Sequence, residues 1–314
     1  MIDVLTFGEA MVSLRTDRPI RAGDALRMSV AGAEANVAIG LARLGHRVRW
    51  TGLTGTDGFG DLILRTLRAE GVDISHAARV GEPTGLVVFE ARTADLTRVS
   101  YHRSGSAGSR IGPAQVAAAW DRRVRVVHVT GITAALGPGP LGAVRTAVES
   151  ASAAGATVCL DVNYRAKLWS REAAAAVLRP LVPSVDILIA SDDELPLAAP
   201  AAAVSEAEQV EALLERGVRE VVVKRGADGA EVFDASGSTA RPAVPVTVRD
   251  TVGAGDAFVA GYLSGLLDGA PAGSRLERAV TTGAFAVASV GDWEGLPARE
   301  ELDLLRAAPG SAIR

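Results

Sequence analysis

Apolar residues fall into short unbroken runs separated by longer stretches in which they recur every three or four positions. The runs at 4–7, 48–53, 124–129, 158–162, 187–190 and 221–224 predict buried strands. The periodic stretches at 33–44, 61–70, 140–153, 171–181, 206–216, 254–267 and 274–290 predict helices, the first two stopped by Gly45 and Gly71. Strand and helix signals alternate, which predicts right-handed crossovers and an α/β fold with a mainly parallel sheet covered on both faces. Two β-rich segments, 10–32 and 84–105, break the rhythm. They are expected to form a small separate sheet acting as a lid over a core made of 1–9, 33–83 and 106–314; the alternative is a hairpin extension with no lid role. The alanine-rich stretch 198–204 is expected to be a solvent-side loop.

Composition narrows the function classes. The chain has 314 residues, 48% of them hydrophobic, and a formal net charge of −4. Disorder is not expected from that balance, and no basic face suggests a nucleic-acid partner. The single cysteine, Cys159, lies in an apolar run, so the chain has no internal disulfide or thiolate metal site. His46, His76, His102 and His128 are scattered without ligand spacing. No signal-like segment opens the sequence and no run of about 18 apolar residues occurs, so a cytoplasmic protein without a membrane partner is expected.

The chemistry concentrates in Arg249-Asp250-Thr251-Val252-Gly253-Ala254-Gly255-Asp256-Ala257-Phe258. A strand signal at 244–248 precedes it and a long apolar helix follows. Small residues at a helix start expose unpaired amides that bind anions, and glycine lets a phosphate come close. Asp256 in that first turn has two readings: an acid complementing the helix dipole, or a base taking a hydroxyl proton while the amides hold a phosphoryl group. A Walker-type phosphate loop, a protein-kinase catalytic loop and a dinucleotide glycine fingerprint are all absent.

The segment from Asp250 to Phe258 resembles the signature of the ribokinase-like (PfkB) carbohydrate kinases. So do Gly32-Ala33-Glu34-Ala35-Asn36-Val37-Ala38, Leu41-Ala42-Arg43-Leu44-Gly45 and Gly55-Thr56-Asp57-Gly58-Phe59-Gly60, in order along the chain. The resemblance implies a three-layer α/β/α sandwich with a β lid, and transfer from ATP with Mg2+. It makes Asp256 the base and Gly253, Ala254 and Gly255 part of the anion hole. It brings Lys224 or Arg225, with Gly226 and Gly229, to the triphosphate. Ser191 and Glu194 stand where the family has Asn-x-x-Glu, Glu194 acting on Mg2+ through water; Ser191 departs from the usual Asn. Gly283, Ala284 and Ala288 fall on the adenine-side helix, and Asp250, near Gly291, is a possible K+ site.

The sugar side is closest to 2-keto-3-deoxygluconate kinases, through Pro83-Thr84-Gly85, Tyr101-His102-Arg103 and Asp161-Val162-Asn163-Tyr164-Arg165. Ser13 replaces the aspartate of ribose- and fructose-type members. A sugar acid needs a cation for its carboxylate, and a guanidinium fork fits one; Arg103 and Arg165 are the candidates. Phe89 and Tyr101 would cover the sugar's apolar face, and Gly32, Ala33 and Asn36 would meet hydroxyls. A fructokinase is the rival within the class. A non-catalytic sugar sensor and a protein-binding scaffold are the rivals outside it. Exposed lid edges suggest a homodimer.

Overall fold

In the computed structural model, which describes residues 2–93 and 96–306, the unbroken apolar runs form one eight-stranded sheet. Its order is Gly237–Arg241, Ala230–Asp234, Glu220–Lys224, Ile187–Ser191, Thr157–Asp161, Val126–Thr130, Val4–Phe7 and Val48–Thr51. The strands from Glu220–Lys224 onward pair in parallel, and the first two join by antiparallel pairing. Successive side chains of a strand point to opposite faces, and here both faces are apolar. Val127, Val129, Val158, Leu160 and Leu188 enter one buried cluster, while Val126, Cys159, Ile187 and Ile189 enter the other. A sheet buried on both sides explains why these strands read as continuous hydrophobic runs.

The lid segments form a second sheet, ordered Arg27–Ala31, Met11–Thr16, Leu86–Thr93, Leu96–His102. One face buries Met11, Ala31, Val87 and Phe89, and the other leaves Met28 and Leu96 more than half exposed. That second face buries Val12 and Val30 where it meets the core and is open beyond them, and the open part supplies the polar positions that set these segments apart from the core strands.

Several elements differ from the sequence expectation. No strand forms over 244–248; Pro242 and Pro245 remove the donors a ladder needs. Arg249 instead donates its amide to Val287 O at 2.8 Å. The run at 48–53 splits at Gly52, where a Cβ would stand 2.3 Å from the Trp50 ring, and Leu53–Gly55 leaves to pair with Ala78–Val80. Helix Gly58–Ala69 starts early because Asp57 caps it, accepting from Gly60 N at 2.8 Å. Helix Arg171–Leu178 stops short of Pro180. Ala198 and Ala199 are buried rather than on a solvent-side loop, since Leu195–Ala198 forms a helical turn against the core.

Candidate active site

The carboxyl ends of the parallel strands and the inner face of the lid sheet enclose a cleft of about 1330 Å³, with Asp256 in its wall. Ligands in open α/β sheets lie beyond these strand ends. Helix Ala254–Leu267 is apolar around nearly its whole circumference and is packed inside the core, so its start is held rigidly. Gly253 at its N-cap has φ 75°, and a Cβ there would stand 1.9 Å from Asp292 O, so both conformation and space require glycine. The first amides of a helix lack intrahelical acceptors. Ala254 N turns to Thr251 O at 3.4 Å; Gly253, Gly255 and Asp256 line the cleft.

Asp256 is 7% exposed. Its Oδ2 accepts from Asn36 Nδ2 at 2.7 Å and its Oδ1 from Asn163 Nδ2 at 3.4 Å. Burial pushes its pKa up to about 7; the Asn36 hydrogen bond and Arg165 oppose the rise, and Asp161 and Glu34 add to it. A carboxyl titrating near neutrality beside free amides is suited to taking a proton from an alcohol. Asn36 comes from the first turn of helix Ala33–Arg43, whose entry at Gly32 (φ 148°) packs against Glu9 O.

Lys224 ends its strand facing the cleft, with Nζ 2.9 Å from Asp161 Oδ1. Burial works against its charge, yet Asp161, Glu194 and Asp256 outweigh burial and raise its pKa. Arg225 turns away and pairs with Glu206 and Glu231, so of the two cations Lys224 is the one that lines the cleft. Glu194 is buried at the cleft, Oε1 accepting from Tyr164 N at 2.6 Å and Oε2 from Ser191 N at 2.9 Å. Ser191 also lines the cleft, its hydroxyl donating to Asp193. Among the described residues no three His, Cys, Asp or Glu side chains gather as a metal site. A divalent ion would therefore be held largely by phosphate oxygens, and Glu194 is the anchored carboxylate that fits beside them.

Other expected nucleotide residues stand outside the cleft lining. Gly226 and Gly229 shape the turn after Lys224 with φ 55° and 100°. Gly283 packs toward Ala254 O, Ala284 is buried, and Ala288 caps helix Ala272–Val287. Asp250, expected to take a monovalent cation, meets a guanidinium already in place: Arg15 Nη1 lies 2.7 Å from its Oδ2.

On the sugar side, Gly32, Ala33, Asn36, Phe89, Tyr101, Arg103 and Arg165 all line the cleft. Arg103 is not a free clamp, because its Nε donates to buried Glu9 Oε2 at 2.7 Å, and Ser106 donates to the other oxygen. Arg165 is exposed and, among the described residues, pairs with no carboxylate; its one hydrogen bond is a 3.4 Å contact to Tyr164 O. Glu9, Asn163 and Lys167 line the cleft, and Asp161 lies buried behind it as the partner of Lys224; the sequence assigned none of them a role. Asn163 sits at φ 37°, a left-handed conformation that asparagine tolerates. The Asp-x-Asn spacing at a strand end was the available signal.

The family model for pfkB family carbohydrate kinases matches residues 1–299. The chain belongs to the pfkB carbohydrate kinases. Over 98% of its length this pfkB kinase is 38% identical to a 2-dehydro-3-deoxygluconokinase of Thermoproteus tenax, matching 95% of that protein. It is 32% identical to one of Bacillus subtilis, with 96% and 94% covered. A structure of an E. coli protein described as a ribokinase II, in complex with ATP and Mg2+, superposes with TM-score 0.87 at 25% identity over 98% of this chain and 99% of that one. The protein is thus a sugar kinase with the ribokinase-like fold. Among its described residues no helix is long and apolar enough to cross a membrane.

Proposed function

We propose that the protein phosphorylates 2-keto-3-deoxy-D-gluconate, systematically a 2-dehydro-3-deoxygluconate, at O6. The observation that carries this reading is the pairing, across one cleft, of a buried carboxyl at a helix start with an uncommitted guanidinium, Asp256 and Arg165. The names of the two curated relatives point the same way.

In this reading Arg165 receives the sugar's carboxylate through two parallel hydrogen bonds, and Arg103, neutralised by Glu9, adds a donor at the rim. Gly32, Ala33 and Asn36 meet hydroxyls, while Phe89 and Tyr101 cover the carbon face. Those contacts set the far hydroxyl against Asp256, which accepts its proton. The amides from Gly253 to Asp256 and the ammonium of Lys224 stabilise charge on the phosphoryl group in transit. Bound Mg2+, facing Glu194, supplies further charge neutralisation there. The turn at Gly226 and Gly229 and the helix carrying Gly283, Ala284 and Ala288 frame the nucleotide from outside the cleft wall. The four-stranded sheet of segments 10–32 and 84–105 acts as the lid that keeps water out.

Initial rates with 2-keto-3-deoxygluconate, fructose and ribose test the assignment. The sugar acid is expected to have the highest kcat/KM; equal or better fructose turnover would make the protein a fructokinase. Loss of Mg2+ to a chelator should abolish turnover, and exchanging K+ for Na+ should not, since Arg15 already neutralises Asp250. The exposed Met28 and Leu96 support a homodimer through the lid, read by sedimentation. Use of ATP as donor supports a cytoplasmic location.

A further inference from the structure

Arg15 belongs to the lid, yet it is tied to the loop that opens the catalytic helix. Strand Met11–Thr16 pairs with Leu86–Thr93 so that Arg15 stands level with Phe89, and its guanidinium lies 3.9 Å over the Phe89 ring. From there it forks. Nη1 reaches Asp250 Oδ2 at 2.7 Å, and Nη2 reaches Asp292 Oδ2 at 2.8 Å.

Each aspartate grips one side of the glycine turn, Asp250 through its carboxylate and Asp292 through its backbone carbonyl. Asp250 Oδ1 accepts from Val252 N at 3.1 Å, and Oδ2 from Gly291 N at 3.3 Å. Asp292 presses its carbonyl against Gly253 so closely that no Cβ fits between them. Val252 itself packs on the lid's apolar cluster of Met11, Ala31, Val87 and Phe89. All three charged side chains are largely buried, 11%, 16% and 6% exposed for Arg15, Asp250 and Asp292. Two buried like charges held side by side require the one cation between them.

We propose that Arg15 is a positioning residue that couples the lid to phosphoryl transfer, holding the Asp250–Gly253 turn, and hence the amides beside Asp256, in register only while the lid is seated. Phe89 faces the sugar side of the cleft and carries Arg15 on its ring, so contact with the sugar reaches the anion-binding turn through three side chains: Phe89, Arg15 and an aspartate. The inference rests on the reading of that turn as the phosphoryl site of the kinase.

The test uses the full chain and compares wild type, Arg15→Ala and Arg15→Lys, with folding checked by thermal melts. Arg15→Ala should lower kcat on the order of 10²-fold, the cost of misplacing aligned groups by about 1 Å. Its KM for the sugar acid should stay within about threefold, and added millimolar guanidinium should restore part of kcat. Arg15→Lys keeps one charge but not the fork, so kcat should remain depressed, and this variant decides the matter if Arg15→Ala does not fold. A folded variant with unchanged kcat overturns the proposal. So does a raised sugar KM at constant kcat, which would make Arg15 a pocket-shaping residue only. If wild type transfers no phosphate from ATP to any sugar acid, the underlying kinase reading fails instead, and the two failures are distinguished by that control.

Discussion

Replacing Asp256 by Asn should make the protein more stable while nearly abolishing its activity. The carboxyl is 7% exposed, and its pKa stands near 7 against an ordinary 3.8, chiefly through burial. A folded-state pKa above the unfolded one means that the group favours folding at low pH, and that this contribution is lost as pH rises through about 7. At pH 8 the buried charge is present in nearly every molecule. The shift is about 3 units at about 1.4 kcal/mol each, so the wild-type chain carries a penalty of about 4 kcal/mol. At pH 5 most folded molecules keep the proton, and the penalty falls to about 2 kcal/mol. The asparagine carries no charge and still accepts from Asn36, so it removes the penalty at both pH values. Urea unfolding of the two proteins at pH 5 and pH 8 should show a stability gain that grows with pH. The same variant should lose on the order of 10²–10⁴ in kcat. A gain that is constant across that range, or a variant less stable than wild type at pH 8, would refute burial as the origin of the shift.

Wild-type kcat/KM should rise about tenfold per pH unit below about 7 and then level, since the base must be ionised in the free enzyme. Asn36→Leu removes a charge-assisted hydrogen bond worth about 1.5–3 kcal/mol and should carry that limb upward by about one to two units, read from a pH–rate profile. Gly253→Ala should cost more than about 10² in kcat or fail to fold, because it meets both a left-handed backbone and Asp292 O at 1.9 Å; melts and rates report it. Arg225→Ala should change KM for ATP by less than about twofold, since its partners are Glu206 and Glu231. Lys224→Met should raise that KM and destabilise the fold by about 3–5 kcal/mol by stranding buried Asp161. Arg165→Ala should raise KM for the sugar acid by about 1.5–3 kcal/mol, roughly 10- to 150-fold.

The parallel core was legible because burial on both faces of the sheet removes the polar positions that punctuate other elements, as at Val126–Thr130 and Ile187–Ser191. The lid strands were legible for the opposite reason, their alternation. What the sequence hid was decided by partners far away along the chain. Val244, Val246 and Val248 read as a strand, but Pro245 among them, Pro242 before them and the claim of Val287 O on Arg249 decide otherwise. Lys224 and Arg225 are adjacent and equally cationic; alternation along the strand sends one to Asp161 and the other to Glu206. The fate of Arg103 was set by Glu9, 94 residues earlier, and the second donor to Asp256 by Asn163, 93 residues before it. The position of Asp256 was legible because a glycine turn and a helix start adjoin it in sequence, while the groups that hold its carboxyl, Asn36 and Asn163, come from far along the chain.

These charges form one system rather than a set of separate roles. Glu34 and Asp161 are buried near Asp256, and both raise the cost of ionising it. The ammonium of Lys224, which attracts Asp256, and the Arg165 guanidinium on the cleft side lower that cost. A triphosphate entering the cleft brings several more negative charges, which alone would push Asp256 further toward its protonated, inactive form. On the proposed mechanism the base would stay competent in the ternary complex because the incoming charge would be met by groups already placed for it: the ammonium of Lys224, the amides of the glycine turn and the metal that accompanies the nucleotide. Burial makes the base strong enough to take a hydroxyl proton near neutral pH, and the surrounding cations keep it ionised when the donor arrives.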